Sequence, residues 1–194
     1  VINEALRSAL NYDTPDEQIN EFIRFFGKHI GSDRIYIFED CDEKHVTKNT
    51  YEWCADGIVP EIHELQNVDM DIIGWWYQTF DKDRNVIITD IEQIKDERRE
   101  SYNLLKAQNV KNLVVCPIRY KDEIKGFFGV DNPPESDTLG LTTFLDMIGT
   151  LLISLLKLRN SFTKSNKEAM LSSYSSLSSI YISMALVNVQ THRY

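Results

Sequence analysis

The sequence predicts an α+β fold, because segments of helical period and segments rich in β-forming residues succeed one another along the chain. Three observations carry this prediction: an amphipathic helix over 15–30, two apolar runs around a short charged turn within 111–131, and a long amphipathic helix over 138–160. The chain has 194 residues, 42% of them hydrophobic and 26% charged, which suits one domain with additional segments.

The N-terminal quarter predicts two helices and two strands. Residues 1–11 carry an i, i+4, i+8 apolar stripe, and we expect an incoming linker helix there. The helix over 15–30 has clear end signals, because Thr14 and Glu17 form a capping box and Gly31 is a natural stop. The following segments, "DRIYIFED" and "HVTKNTYEWCA", are β-rich and predict two strands that pair antiparallel.

The middle of the chain predicts smaller elements. A loop with room for a short helix is expected over 56–69, followed by a helix over 70–80 and a short strand in "NVIITDI". A polar surface helix, broken at most once, is expected over 92–110. The strongest β pattern follows, since "LVVCPIRY" and "EIKGFFGVD" flank a charged turn at Lys121 and Asp122 and predict a hairpin.

Two apolar stripes run along the predicted helix over 138–160. The first is expected to face the helix's own sheet and comprises Leu141, Leu145, Ile148, Leu152 and Leu155. The second is expected to pair with a second copy in a homodimer and comprises Phe144, Leu151 and Leu158. Residues 161–179 turn polar and serine-rich, and we interpret 161–194 as a partly helical linker that leads into the first strand of a following domain at 183–194. The chain starts with Val1, and we expect it to be part of a longer protein.

Charge and composition make several partner classes poor expectations. The net charge of −9 disfavours nucleic acid and anionic lipid surfaces, because like charges repel. Ser154 and Lys157 interrupt the longest apolar run, which falls short of the roughly 20 residues of a membrane helix, so we expect no membrane insertion. Cys41, Cys54 and Cys116 fit neither a disulfide framework nor a zinc site and indicate a cytoplasmic location.

The order of these elements, with "LVVCPI" followed by "IKGFFGVDNP", resembles a GAF domain over about residues 12–160. The segments "GWWYQTF" and "GFFGVDNPP" look like a bacterial subfamily of signalling GAF modules, many of which end in GGDEF diguanylate cyclase domains. The resemblance implies a central antiparallel sheet, terminal helices on one face and a loop-helix cap over 55–108 on the other, with any ligand beneath the cap. The chain itself carries no GGDEF motif, so no cyclase activity is expected in it.

The aromatic cluster at Trp75 and Trp76 has two interpretations. Adjacent helical residues lie about 100° apart, so Trp76 is expected to be buried and Trp75 to lie at the edge. Trp76 either fills the space between cap and sheet or, with Trp53, walls a pocket for a flat or apolar ligand. The full set of pocket candidates is Trp53, Trp76, Phe80, Asp90, Asn112 and Cys116. The sequence leaves open which face of the strand over 112–118 lines the pocket.

The sequence predicts no catalytic residue and no metal site. The histidines, at positions 29, 45, 63 and 192, lack paired ligand spacing, and no cysteine arrangement is typical of nucleophilic catalysis. A covalently attached bilin, one ligand that the resemblance implies, would need a cysteine in the cap, and residues 55–108 contain none. No cofactor is therefore predicted beyond an unknown small ligand.

Two functions remain for this chain. The first is a non-enzymatic regulatory sensor that binds a small ligand and passes a signal through its long helix to a downstream output domain in the same parent chain. The resemblance implies that this output is a diguanylate cyclase. The alternative is a ligand-free module for dimerisation and spacing, in which the tryptophans are only core residues.

Overall fold

A six-stranded antiparallel sheet forms the centre of the fold, and the computed structural model describes residues 1–134 and 138–191 of the chain. The strands lie in the order β3-β2-β1-β6-β5-β4, and each hydrogen-bonded pair is antiparallel. Their bounds are Arg34–Cys41 (β1), Val46–Cys54 (β2), Val68–Asp69 (β3), Val86–Ile88 (β4), Leu113–Tyr120 (β5) and Glu123–Asp131 (β6). The predicted α+β class and the predicted hairpin β5–β6 are confirmed.

Helices cover one face of the sheet, here called the helix face. They are α1 (Ile2–Ala9), α2 (Pro15–Ile30) and the first part of α5 (Thr138–Thr191). The capping box of α2 is present: Thr14 Oγ1 accepts a hydrogen bond from the backbone N–H of Glu17, and the Glu17 carboxylate accepts one from the backbone N–H of Thr14. At the other end of the helix, Gly31 has the left-handed conformation. Buried apolar side chains of the helices and the sheet form one core here, with Phe22, Phe26, Phe128 and Leu152 at its centre.

The opposite face, here called the cap face, is covered by the segment between β2 and β5. This cap contains α3 (Gly74–Phe80), a 3-10 turn (Ile91–Ile94) and α4 (Arg99–Ala107). Trp76 is buried and Trp75 is half-buried, as the helical spacing predicts. Two predictions are wrong in detail, because the helix expected from residue 70 begins only at Gly74 and the two-residue strand β3 was not foreseen.

Helix α5 is longer than predicted and extends from Thr138 to Thr191. The strand expected over 183–194 is not found, because residues 183–191 are helical; residues 192–194 lie outside the described part. The chain divides into a unit of Val1–Leu156 and a second unit of Lys157–Tyr194. Within the first unit, the predicted inner stripe faces the core, since Leu145, Ile148 and Leu152 are buried.

Among the described residues, one helical stretch has the length and composition of a membrane span. It covers Leu141–Ser173, and its most apolar window has a mean hydropathy of 1.6, with 33% of that window buried inside the protein. The sequence argument considered only uninterrupted apolar runs and therefore missed it. Since core helices of soluble proteins can have the same length and composition, the stretch by itself is weak evidence for a membrane.

The side chain of Asn132 joins the ends of three strands. Its Oδ1 accepts from the backbone N–H of Lys111 at 2.7 Å, and its Nδ2 donates to Asp33 Oδ2 at 2.6 Å. Asn132 itself has a φ of 50°, a left-handed conformation that asparagine tolerates better than most residues. This junction fixes the register in which Arg34 of β1 lies opposite Asp131 of β6.

Candidate functional site

A small cavity, here called the cap cavity, lies between the cap and the sheet. Its volume is about 40 Å³. Apolar side chains of both layers, Trp76 and Phe127 among them, form much of its wall. The polar lining consists of Arg34, Tyr36, Asn49, Glu52, Gln108 and Asp131.

A β-bulge decides which residues of β2 reach the cavity. The pairing of β1 with β2 shifts after Ile37, which lies opposite Tyr51, so that Phe38 lies opposite Asn49. Residues three apart in a regular strand face opposite sides of a sheet, and the extra residue of a bulge reverses that rule. Asn49 and Glu52 therefore point to the same side, with Asn49 Nδ2 donating to Glu52 Oε1 at 3.3 Å.

Two buried charged side chains attach the cap to the sheet. Arg34 donates from Nη2 to the carbonyl of Val59 at 2.8 Å and from Nη1 to the carbonyl of Gln108 at 3.0 Å. The carboxylate of Glu52 accepts from the backbone N–H groups of Glu61 at 2.9 Å and Ile62 at 3.1 Å. Because the partners lie in the 59–62 loop and at the end of α4, both halves of the cap depend on these two side chains.

Three carboxylates surround Arg34 at distances longer than direct hydrogen bonds. Arg34 Nη1 lies 3.6 Å from Asp131 Oδ2, Nη2 lies 3.9 Å from Glu61 Oε1, and Nε lies 4.0 Å from Glu52 Oε1. The guanidinium thus compensates the negative charge without bonding directly to it.

Four buried polar atoms of the lining have no hydrogen-bond partner among the described residues. Two are donors, Arg34 Nε and Trp76 Nε1, and two are acceptors, Asn49 Oδ1 and Asp131 Oδ1. A buried polar atom without a partner costs about 1–3 kcal/mol, so native proteins rarely retain one without a reason. Because four such atoms surround one small cavity, we take the cap cavity as the candidate site.

The electrostatic surroundings of Asp131 are unusual for an aspartate. Burial raises its pKa from 3.8 to about 7, although Tyr36 and Arg34 act in the opposite direction. Burial, followed by the nearby Asp131, also raises the pKa of the Tyr36 hydroxyl well above its ordinary value. The pKa of Asp131 therefore lies near neutral pH.

The structure does not bring the predicted pocket residues together. Trp76 lines the cap cavity, and Phe80 is fully buried beside it in the cap core. Trp53 and Cys116 lie on the helix face instead, where Trp53 packs over Gly27. The predicted pairing of Trp53 with Trp76 is thus corrected, because the bulge in β2 sets the face that Trp53 occupies.

The other two predicted residues lie outside the cavity. Asp90 is exposed and caps the 3-10 turn, where its Oδ1 accepts from the backbone N–H of Glu92 at 2.9 Å. Asn112 precedes β5 and lines a separate surface depression with Thr89. On β5 itself, Leu113 and Val115 face the cap, which answers the question of strand face that the sequence left open.

Sequence reasoning missed the whole polar lining, namely Arg34, Tyr36, Asn49, Glu52, Gln108 and Asp131. A usable signal existed for Arg34 and Asp131, since Arg34 directly precedes the apolar run "IYIF" and Asp131 directly follows the run "FFGV". For Asn49 and Glu52 the sequence offers no such signal, because nothing in β2 marks the position of the bulge.

One histidine cluster lies on the surface of the described part. The ligand atoms of His45, Asp69 and Asp71 lie within 4.8 Å of one another, and all three residues are exposed. The hydrogen-bonded Asp71 raises the pKa of His45. Surface groups of this kind are common without a metal, and we assign no ion to them.

Comparison with known proteins places the chain in a family. The family model described as "GAF domain" matches residues 14–156. The chain belongs to the GAF domain family. It also matches, at 26% identity over 128 residues, the methanogenesis regulatory histidine kinase FilI of Methanothrix harundinacea. That match covers 63% of this chain but only 14% of the kinase, so this GAF domain corresponds to a small part of its relative.

Solved structures share the fold. The GAF domain of an Acinetobacter phosphoenolpyruvate-protein phosphotransferase is 12% identical, with a TM-score of 0.64, and the match covers 84% of this chain and 94% of that one. A phycoerythrobilin-bound GAF domain from a cyanobacterial phytochrome is 16% identical, with a TM-score of 0.66 and coverage of 83% and 97%. The predicted GAF fold is confirmed.

Proposed function

We propose that this GAF domain is a regulatory sensor that binds a small ligand in the cap cavity and passes a signal to an output domain of the same parent chain. The observation that carries the proposal is the set of four unpartnered polar atoms around the cavity. A ligand with complementary groups satisfies atoms that are otherwise a cost to the fold. The chain itself acts as a sensor and not as an enzyme.

The size of the cavity limits the ligand to a few non-hydrogen atoms. A volume of about 40 Å³ is far below the roughly 300–1,000 Å³ of pockets for drug-sized ligands. The phytochrome relative binds a bilin, but residues 55–108 here contain no cysteine for covalent attachment. We therefore propose a ligand much smaller than a tetrapyrrole.

Strand β6 connects the cavity to helix α5 within the first unit. Phe127 and Asp131 face the cavity, whereas Phe128 faces the helices. The fit at α5 is close, since a Cβ placed on Gly149 would lie 2.9 Å from Phe128 Cε1. A ligand that prefers one position of β6 over another thereby biases the packing of α5, which is what a sensor requires.

The parent protein is proposed to be a cytoplasmic signalling enzyme. The subfamily resemblance favours a diguanylate cyclase output, while the match to FilI favours a histidine kinase. In both cases the output domain would lie in the parent chain beyond this GAF domain.

The first experiment is native mass spectrometry of the freshly purified chain, followed by thermal-shift measurements against small metabolites. We expect a small adduct or a stabilising metabolite whose effect is lost in Trp76→Phe, because that substitution keeps a ring but removes Nε1–H. Trp53→Phe is the matched control, since Trp53 lies on the helix face. If Trp53→Phe loses the effect and Trp76→Phe keeps it, the cap cavity is not the site.

The alternative function, a ligand-free dimerisation module, is favoured by the small cavity and by exposed apolar residues of α5. In the second unit, Leu158 is 50% exposed and Phe162 is 41% exposed. Phe144 and Leu151 are only half-exposed and pack against the helix-face core, so Leu158 is the cleaner test of the proposed homodimer. Leu158→Asp should give monomers by sedimentation velocity, whereas Asn160→Asp on another side of the helix should keep the dimer. A dimer that survives Leu158→Asp contradicts this interface.

A further inference from the structure

Around the cap cavity, negatively charged side chains outnumber positively charged ones. Arg34 is the one buried cation of the lining, and it faces two buried carboxylates, Glu52 and Asp131. Glu61, whose side chain is 21% exposed, adds a third carboxylate near the same guanidinium. With all groups ionised, the cavity is net negative, and an occupant with positive charge is favoured electrostatically.

An anionic occupant has little to bind. The Nη1 and Nη2 atoms of Arg34 already donate to the backbone carbonyls of Gln108 and Val59. Only Nε of the guanidinium is left without a partner among the described residues. An anion at that atom would lie next to the carboxylates of Glu52 and Asp131, where like charges repel in a medium of low dielectric constant.

The unpartnered atoms describe the hydrogen-bonding pattern of the occupant. Asn49 Oδ1 and Asp131 Oδ1 need donors, whereas Arg34 Nε and Trp76 Nε1 need an acceptor. Four aromatic side chains also line the cavity, and their ring faces attract cations: Tyr36, Phe38, Trp76 and Phe127.

We propose that the cap cavity binds a small organic ammonium ion that carries a neighbouring oxygen acceptor. The ammonium group donates to Asp131 Oδ1 and Asn49 Oδ1, and the oxygen accepts from Trp76 Nε1 and Arg34 Nε. The volume of about 40 Å³ restricts the ion to a few non-hydrogen atoms. This inference rests on the proposed sensor function and names the chemical class of its ligand.

Binding of such a cation is linked to the proton of Asp131. The charged and titratable groups that act on Asp131 are Arg34 and Tyr36 from β1 and Glu52 from β2. Glu61 of the 59–62 loop lies near the Arg34 guanidinium. Because the pKa of Asp131 is about 7, the cation must compete with a proton below that pH. The dissociation constant should fall about tenfold between pH 6 and pH 8.

Isothermal titration calorimetry of the whole chain with ethanolammonium tests the proposal, since this probe has four non-hydrogen atoms, one ammonium group and one hydroxyl. Ethylene glycol is the uncharged control, and glycolate is the anionic control of similar size. We expect a dissociation constant of roughly 0.1–10 mM for ethanolammonium. Both controls should bind at least about tenfold more weakly.

Two variants locate the binding. Asp131→Asn should weaken ethanolammonium binding at pH 8 at least about tenfold and remove its pH dependence. Glu123→Gln is the matched control, because Glu123 lies on the same strand but is exposed. The pH dependence of the unmodified chain gives an independent readout if Asp131→Asn does not fold.

The outcomes separate the ligand class from the sensor function. Preferential binding of glycolate, or equal binding at pH 6 and pH 8, overturns the ammonium assignment. Failure of all three probes to bind also overturns it. In each of these cases, a native adduct that is lost in Trp76→Phe still supports the proposed sensor function. The absence of any adduct and of any thermal shift contradicts the sensor function itself.

Discussion

Glu21 in the helix layer and Asp131 under the cap are both buried carboxylates, and their surroundings are opposite. On the helix side, Glu21 of α2 accepts two hydrogen bonds of 2.6 Å from Arg24 and a third from Ser8. The hydrogen bonds from Arg24 lower its pKa. On the cap side, Asp131 has no such direct partner for Oδ1, and burial raises its pKa to about 7.

This difference separates a stabilising layer from a binding layer. The helix-face core consists of interlocking apolar side chains, with its charged residue fully hydrogen-bonded. The cap face retains polar atoms whose partners are missing among the described residues. Sites that bind ligands commonly give up stability in this way, because their polar groups must stay available.

The largest expected effect is a loss of packing on the helix face. Phe22 is fully buried there, and Phe22→Ala should lower the free energy of unfolding by about 3–5 kcal/mol. Urea denaturation measures the change. Phe162→Ala is the matched control at a residue that is 41% exposed, and it should cost less than about 0.5 kcal/mol. Similar losses for both variants would contradict the description of the helix face as the stabilising layer.

The second effect is a dependence of stability on pH that belongs to the cap face. The folded-state pKa of Asp131, about 7, lies above its ordinary value of 3.8, so its stabilising contribution is present below about pH 4 and is lost as the pH rises through 7. The difference in unfolding free energy between Asp131→Asn and the unmodified chain should therefore shift by about 1–4 kcal/mol in favour of the variant as the pH rises from 4 to 8. Denaturant titrations at several pH values measure this difference. A difference that does not change with pH would show that Asp131 is not buried as described.

A third effect tests how closely the helix face is packed. A Cβ on Gly27 would overlap the ring of Trp53, so Gly27→Ala should cost about 1–3 kcal/mol by denaturant unfolding. Gly74→Ala is the matched control, since nothing lies within 4 Å of its Cβ position at the start of α3, and it should be neutral or stabilising. An equal cost at Gly74 would mean that the effect arises from backbone conformation and not from Trp53.

The smallest effect concerns local structure. Thr14→Ala removes the side-chain acceptor at the start of α2 and should cost about 1 kcal/mol of unfolding free energy. Ser154→Ala, at an exposed position inside α5, should leave the stability nearly unchanged. No measurable loss in Thr14→Ala would show that tertiary packing alone holds the start of α2.

Local signals in the sequence were sufficient for the elements of the helix face. Thr14, Glu17 and Gly31 act within a few residues of one another, and the inner stripe of α5 follows the helical period. The hairpin β5–β6 was predictable for the same reason, since its two strands and its turn are adjacent in the chain. Trp76 was correctly assigned to the buried side of α3 from helical spacing alone.

The sequence by itself therefore determined most of the elements, the sheet hairpins and the burial of Trp76, because those features depend on short-range spacing. Only the tertiary structure decided the candidate site. The bulge between β1 and β2 turned Asn49 and Glu52 toward the cap and Trp53 away from it. Strand pairing over almost a hundred residues brought Arg34 beside Asp131, and no local pattern encodes a contact between residues so distant in the chain.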